Sequence, residues 1–271
     1  PWSNAPGGMI VADEGHLSCA NSFENQGTIT AGNSILTLGS TGFEDTWQNS
    51  GLITATNCDL TLQSRWTNLG TIRVVDSDLV LGGRFTTAGL GTLHRTGGTV
   101  YLTGTLDNRN DTLTLDAASG SWNLAGGIEG GAVAQSGGAT LTVTGYSSLN
   151  SVHVLDDLHV QDTLSVQNFL QVDGTLYVEG QSGTIHYPNN YTVSNATIVM
   201  DQPWAHIYNG LRGSGTCTLD SSTLVRGGNG TIQTLGNRLI NRGQVRADVP
   251  GASIKLTADL VLNEGLLRAE N

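Results

Sequence analysis

Lysine is almost missing from this 271-residue chain: Lys255 is the only one, and every other basic residue is an arginine. No basic residue falls between Arg109 and Arg212. Against 23 acidic residues this leaves a net charge of −11. Such a surface repels phosphate backbones and anionic lipid, so neither nucleic acid nor a membrane surface is an expected partner. The charge is uneven. Residues 1–211 hold 18 acidic and 5 basic side chains, residues 212–271 hold 5 and 7. No apolar run reaches transmembrane length, and no signal-peptide pattern is present, so no membrane insertion is expected. The chain opens at Pro1 rather than Met, as a processed product or a segment of something longer would. Cysteine is sparse too. Cys19, Cys58 and Cys217 form neither a CxxC nor a zinc spacing. Three small buried hydrophobes are expected, with a Cys19–Cys58 bridge as the alternative. Amphipathic helices with start and stop signals are also missing. Charged residues make up only 13% of the chain. Glycine, at 37 residues, is near twice its usual share and implies many turns.

What is present is a repeat. FENQGTITA (23–31), WQNSGLITA (47–55) and WTNLGTIRV (66–74) share the pattern aromatic-x-Asn-x-Gly-x-Ile-x-Ala. The aromatics are Phe23, Trp47 and Trp66, and the amides Asn25, Asn49 and Asn68. A degraded fourth copy opens at Phe85 with Thr87 and Gly89, so the aromatic spacings are 24, 19 and 19. Near the C-terminus, LINRGQVRA and LNEGLLRA repeat it with Asn241 and Asn263, 22 residues apart. At the other end, Trp2 and Asn4 have the same offset. Between these marks run short alternating strands such as SILTLG, CDLTLQ, SDLVLG and GTLYVEG.

Periods of about 19–24 residues, each with two or three strands, suit one turn of a parallel β-solenoid, where equal offsets stack about 4.8 Å apart. On this all-β reading the chain is one continuous solenoid over 1–271, with a less regular, loop-bearing stretch at about 185–208. The aromatics are expected to stack ring on ring, the asparagines to form an amide ladder, and the motif glycines to supply positive φ at a corner. Trp122 is a candidate for the aromatic column. A sandwich or barrel would also have many short strands, but gives no reason for one residue type to recur at one offset.

WTNLGTIRVVDSDLVLGGRFTTAGLGTLHRTGGTVYLTGTLDNRNDTLTLDAASGSWNLAGGIEGG (66–131) and GSGTCTLDSSTLVRGGNGTIQTLGNRLINRGQVRAD (213–248) resemble the degenerate β-strand repeats of giant bacterial surface proteins. Arrays of this kind occur in planctomycete-type giant secreted proteins and in filamentous-haemagglutinin and autotransporter adhesins. The resemblance implies a right-handed parallel β-helix, secretion to the exterior or cell surface, and a role as stalk, fibre or adhesin. It brings no catalytic motif and no cofactor.

Parallel β-helices also include polysaccharide lyases and glycosidases, whose chemistry needs carboxylates with basic partners. SVHVLDDLHVQD offers His153, Asp156, Asp157 and His159. Read on one strand and turn, His153, Asp157 and His159 would be a candidate metal set; a solvated strand face is the plainer reading. GGIEGG lacks the Lys-Ser/Thr of a phosphate loop. Thr-x-Thr pairs suggest ice-binding solenoids, but their offsets drift from one column. Four Asn-x-Thr sequons begin at Asn110, Asn190, Asn195 and Asn229. Trp204 and Tyr208 are candidates for a sugar-stacking patch. The expectation is a non-catalytic structural segment of an extracellular fibre, stalk or surface adhesin. It would stack axially on further repeats of a longer chain, or head to tail on its own copies. A glycan-binding adhesin module is the alternative, and a β-helix lyase or glycosidase the third reading.

Overall fold

The computed structural model describes residues 1–42, 44–187, 189–201, 210–235 and 237–270. Short parallel strands stack in about 12 coils, a β-solenoid. Among the described residues the one helical element is a single 3₁₀ turn, Ala88–Leu90, inside the degraded fourth copy of the motif. The chain forms two compact units, Pro1–Thr140 and Leu141–Asn271.

In the first unit each of the early coils contributes three strands, for example Phe23–Asn25, Thr28–Gly32 and Ile35–Leu38. Alternation decides which side chains enter the core. Ile29, Ile53 and Ile72 stack in register on one wall, and Leu36, Leu60 and Leu79 on the next, all buried. The aromatic column runs Trp2, Phe23, Trp47, Trp66, Phe85. Its rings are nearly parallel, with centroids 4.3–5.7 Å apart. Each stacked pair adds about 0.5–1.5 kcal/mol beyond burial. The column continues with Leu106 and Ile128. Trp122 is not in it: that residue lies on another wall, opposite Val100. The sequence could not show this, because an isolated aromatic carries no register.

The motif glycines correct a second expectation. Gly27, Gly51 and Gly70 do not have positive φ. They sit where successive coils approach so closely that a Cβ would fall on the carbonyl oxygen of the preceding coil's glycine: Gly8 for Gly27, Gly27 for Gly51, Gly51 for Gly70. Positive φ is found at the following corner, in Glu14, Asn33, Asn57, Asp76 and the pair Gly97 and Gly98. Short polar side chains tolerate that left-handed conformation.

In the second unit the coil length departs from 19–24 residues on both sides. Ser147 faces Leu164, 17 residues on, because the strands Ser147–Val154 and Thr163–Val172 run past a corner without a turn. Tyr191 faces Cys217, 26 residues on. Columns such as Leu158, Leu176, Ile198, Val225 and Val245 still hold the core. Of the stretch expected to be less regular at about 185–208, the described residues include the strands Thr184–Tyr187, Tyr191–Val193 and Thr197–Asp201, and its remainder from 202 lies outside the described residues. All three cysteines are buried and free, so Cys19 and Cys58 form no bridge.

Candidate functional site

The amide ladder is the most regular polar feature of the core. Asn4 Nδ2 donates to Asn25 Oδ1 at 2.8 Å, Asn25 to Asn49 at 2.7 Å and Asn49 to Asn68 at 2.7 Å. Every donor points toward the C-terminal neighbour. Asn68 passes its bond to the Leu90 carbonyl at 2.8 Å, where the 3₁₀ turn replaces the fourth motif. Beyond it Thr87 donates to Asn108, a fully buried amide that the motif search did not find because it has no aromatic two residues before it. The second unit has its own rung, Asn241 Nδ2 to Asn263 Oδ1 at 2.7 Å.

The histidines and acids of 153–162 do not converge. His153 and His159 lie on different strands, Ser147–Val154 and Leu158–Val160, in different sheets. His153 Nε2 meets Asp173 Oδ1 at 2.8 Å. Hydrogen bonds from His153 and then Gln171 hold the Asp173 carboxyl below the usual range. His159 Nδ1 meets Glu179 Oε1 at 3.1 Å, and its ring stacks on Tyr177 at 4.7 Å. Asp157 Oδ1 accepts the Thr175 N–H at 2.6 Å. Each group links one coil to the next. No cluster of three or more His, Cys, Asp or Glu able to hold a metal occurs among the described residues.

Carboxylates do converge elsewhere, at residues the sequence reading passed over. Asp107 and Glu129 are register partners on adjacent coils. Arg84 Nη2 reaches Glu129 Oε2 at 2.6 Å and Asp107 Oδ2 at 3.9 Å. Arg109 Nε donates to Asp107 Oδ1 at 2.8 Å. The Arg109 hydrogen bond, with Arg84 nearby, holds the Asp107 carboxyl low, so it stays anionic. A glycosidase pair needs one carboxyl raised and protonated. Here two guanidiniums neutralise two stacked carboxylates, which suits an ion rung between coils. Asp107 and Glu129 are one coil apart, 22 residues, and that spacing was legible; Arg84 is in register with Thr105 and reaches them from two positions away in the preceding coil.

The threonine column is short. Thr54 Oγ1 bonds Thr30 Oγ1 at 3.2 Å, but Arg73 follows in register. Trp204 and Tyr208 lie outside the described residues. In GGIEGG, Gly130 and Gly131 are turn residues with positive φ, whereas Gly127 opens the strand Gly127–Glu129 and neither it nor Gly126 has positive φ.

The coil of Ile254–Thr257, Leu260–Asn263 and Leu266–Ala269 presents core positions to solvent. Val261 and Leu267 stack on buried Leu239 and Val245, yet are themselves 38% and 42% exposed. Asn263 Nδ2 retains only a 3.3 Å bond to the Gly265 carbonyl. Comparison with protein-family models, with curated proteins and with solved structures finds no match.

Proposed function

We propose that the chain is a non-catalytic structural segment of an extracellular fibre, stalk or surface adhesin, of the kind found in giant bacterial surface proteins, and that it works by axial stacking of β-solenoid coils. The observation that carries this reading is the run of in-register columns, such as Ile29, Ile53 and Ile72, through which each coil rests on the one before. A coil face built this way accepts another coil. Ladder polarity sets the direction: Asn263 offers a donor, and an N-terminal coil offers the Asn4 acceptor. The partner is therefore either further repeats or a second copy arranged head to tail, a contact that has no reason to close into a ring.

Sedimentation velocity of the chain up to tens of micromolar, at low and high salt, tests self-stacking. The expected result is concentration-dependent association that Val261→Asp with Leu267→Asp abolishes. A monomer under all conditions removes the self-stacking version. The non-catalytic part is tested on a panel of polysaccharides: turnover by the wild type that Asp107→Asn abolishes would refute it.

A further inference from the structure

Two successive coils of the second unit do not pair along one stretch. The strand Thr163–Val172 pairs with Thr184–Tyr187 only through Thr163, Leu164 and Ser165. Its remaining residues pair only with the preceding coil, Val166 and Gln167 with Leu149 and Asn150, and Leu170–Val172 with Val152–Val154. The strand Tyr191–Val193, which follows in the next coil, is the edge of its own sheet and pairs only with Cys217–Leu219. The gap between them is a cleft of about 360 Å³, lined by residues 168–172 and 190–196 with Leu176 and Tyr187. That volume is at the small end of ligand pockets.

A β-bulge shapes its mouth. Register slips between Asn150 and Val152, so Ser151 alone faces both Asn168 and Phe169. Ser151 and Asn168 take φ of 58° and 61°, a left-handed conformation uncommon outside glycine. Bulges of this kind re-aim side chains and are over-represented beside functional sites. Here Phe169 is left 53% exposed at the cleft, although flanked by strand on both sides.

The chemistry of the lining selects its occupant. None of the lining residues is Asp, Glu, Lys, Arg or His, in a chain of net charge −11. The two phenols inside, Tyr187 and Tyr191, stack at 4.0 Å, and burial pushes both above the ordinary tyrosine range, so they are neutral. The Tyr191 ring occupies space that only glycine at 213 leaves open. Its buried hydroxyl lies beside the Cys217 thiol and has no nitrogen or oxygen partner. The rim amides keep capacity to spare. Asn168 donates Nδ2 to Asn150 at 2.6 Å, which leaves its carbonyl oxygen. Asn190 Oδ1 accepts the Thr216 N–H at 2.7 Å, which leaves its NH₂. The cleft thus combines aromatic surface, donors and acceptors of both kinds, unpaired strand edges and no charge.

We propose that this cleft binds a neutral saccharide of one or two sugar units. Sugar C–H faces match the Phe169 and tyrosine rings, and hydroxyls, which donate and accept at once, match the amides and unpaired peptide groups. An extended peptide fits less well. The edge strand offers three residues, and the enclosed volume is short of a multi-residue strand. The proposal goes beyond the structural reading, which rests on the in-register columns and stands whether or not sugar binds.

The test is saturation-transfer NMR on the full chain with neutral di- to tetrasaccharides of glucose, galactose, mannose and N-acetylglucosamine, with uronate-containing oligosaccharides and an extended-peptide library alongside. Phe169→Ala removes an exposed ring, and Asn168→Gly removes the amide while keeping a left-handed backbone; circular dichroism checks that both fold. The expected result is binding of at least one neutral saccharide, weaker binding of acidic ones, and about a tenfold loss in each variant. Absence of neutral-saccharide binding at millimolar concentration, binding unchanged in both folded variants, or preferential capture of peptide overturns the proposal.

Discussion

At the scale of single residues, the stacked motif converts one amide into two obligations. Asn49 is fully buried and accepts from Asn25 while donating to Asn68. Asn49→Ala leaves the Asn68 side-chain carbonyl unpaired and the Asn25 NH₂ with only a 3.3 Å bond to the Leu52 carbonyl, so a loss of about 2–4 kcal/mol is expected in urea unfolding. Asn263 is an exposed end rung that accepts from Asn241 and donates only a 3.3 Å bond to the Gly265 carbonyl, and Asn263→Ala should cost under about 1 kcal/mol. Equal losses would mean that the ladder is not cooperative with burial. The glycines give a paired test. Gly51→Ala drives a methyl onto the Gly27 carbonyl oxygen, a backbone atom that cannot swing aside. It should cost more than about 3 kcal/mol or abolish folding. Gly7 has φ of 81° but open space around it, and Gly7→Ala should cost only about 1–2 kcal/mol, the strain of the left-handed conformation. Thermal melts of the two variants separate close approach from backbone strain.

At the scale of the strand, three to five residues are too few to hold shape alone, and stability comes from the columns they feed. Column membership also decides what a tryptophan contributes. Trp66 stacks between Trp47 and Phe85 and donates its indole N–H to the Gly82 carbonyl at 3.0 Å. Trp122 is equally buried, but its indole N–H has no partner. Trp66→Phe strips Gly82 of a donor, whereas Trp122→Phe removes a donor that was already unsatisfied. The first should cost about 1–2 kcal/mol more than the second in denaturant titrations. The reverse order would mean that cavity size outweighs hydrogen bonding at both sites.

For the molecule as a whole, the second unit carries its most perturbed titrations. Burial pushes the Cys217 thiol up to about 12 and raises Tyr187 and Tyr191, all around one part of the core. The unfolded chain releases the thiol proton near its ordinary value while the folded chain holds it. The folded state therefore binds more protons above about pH 9, and stability falls as pH rises. Full stability is expected below that point, with progressive loss toward pH 12. In Cys217→Ala the slope should lessen by up to about 1.4 kcal/mol per pH unit, one proton's worth, as read by denaturant melts from pH 8 upward. An unchanged slope would mean that the thiol ionises without unfolding its surroundings.

The sequence by itself determined the parallel, all-β stack, because a residue type can recur at one offset only if its copies meet in space. Phe23, Trp47, Trp66 and Asn25, Asn49, Asn68 were legible for that reason, and the coil-length spacing of Asp107 and Glu129 carries the same signal, whereas Arg84 lies off their column. Only the tertiary structure decided how close the coils approach. That distance makes Gly51 a matter of sterics rather than of φ, while strand register puts Trp122 on another wall and a corner separates His153 from His159. It also decided where stacking fails. A bulge at Asn168 and Phe169 is a one-residue slip in pairing, with no periodic trace in a single sequence, and the cleft it helps open exists only between two coils.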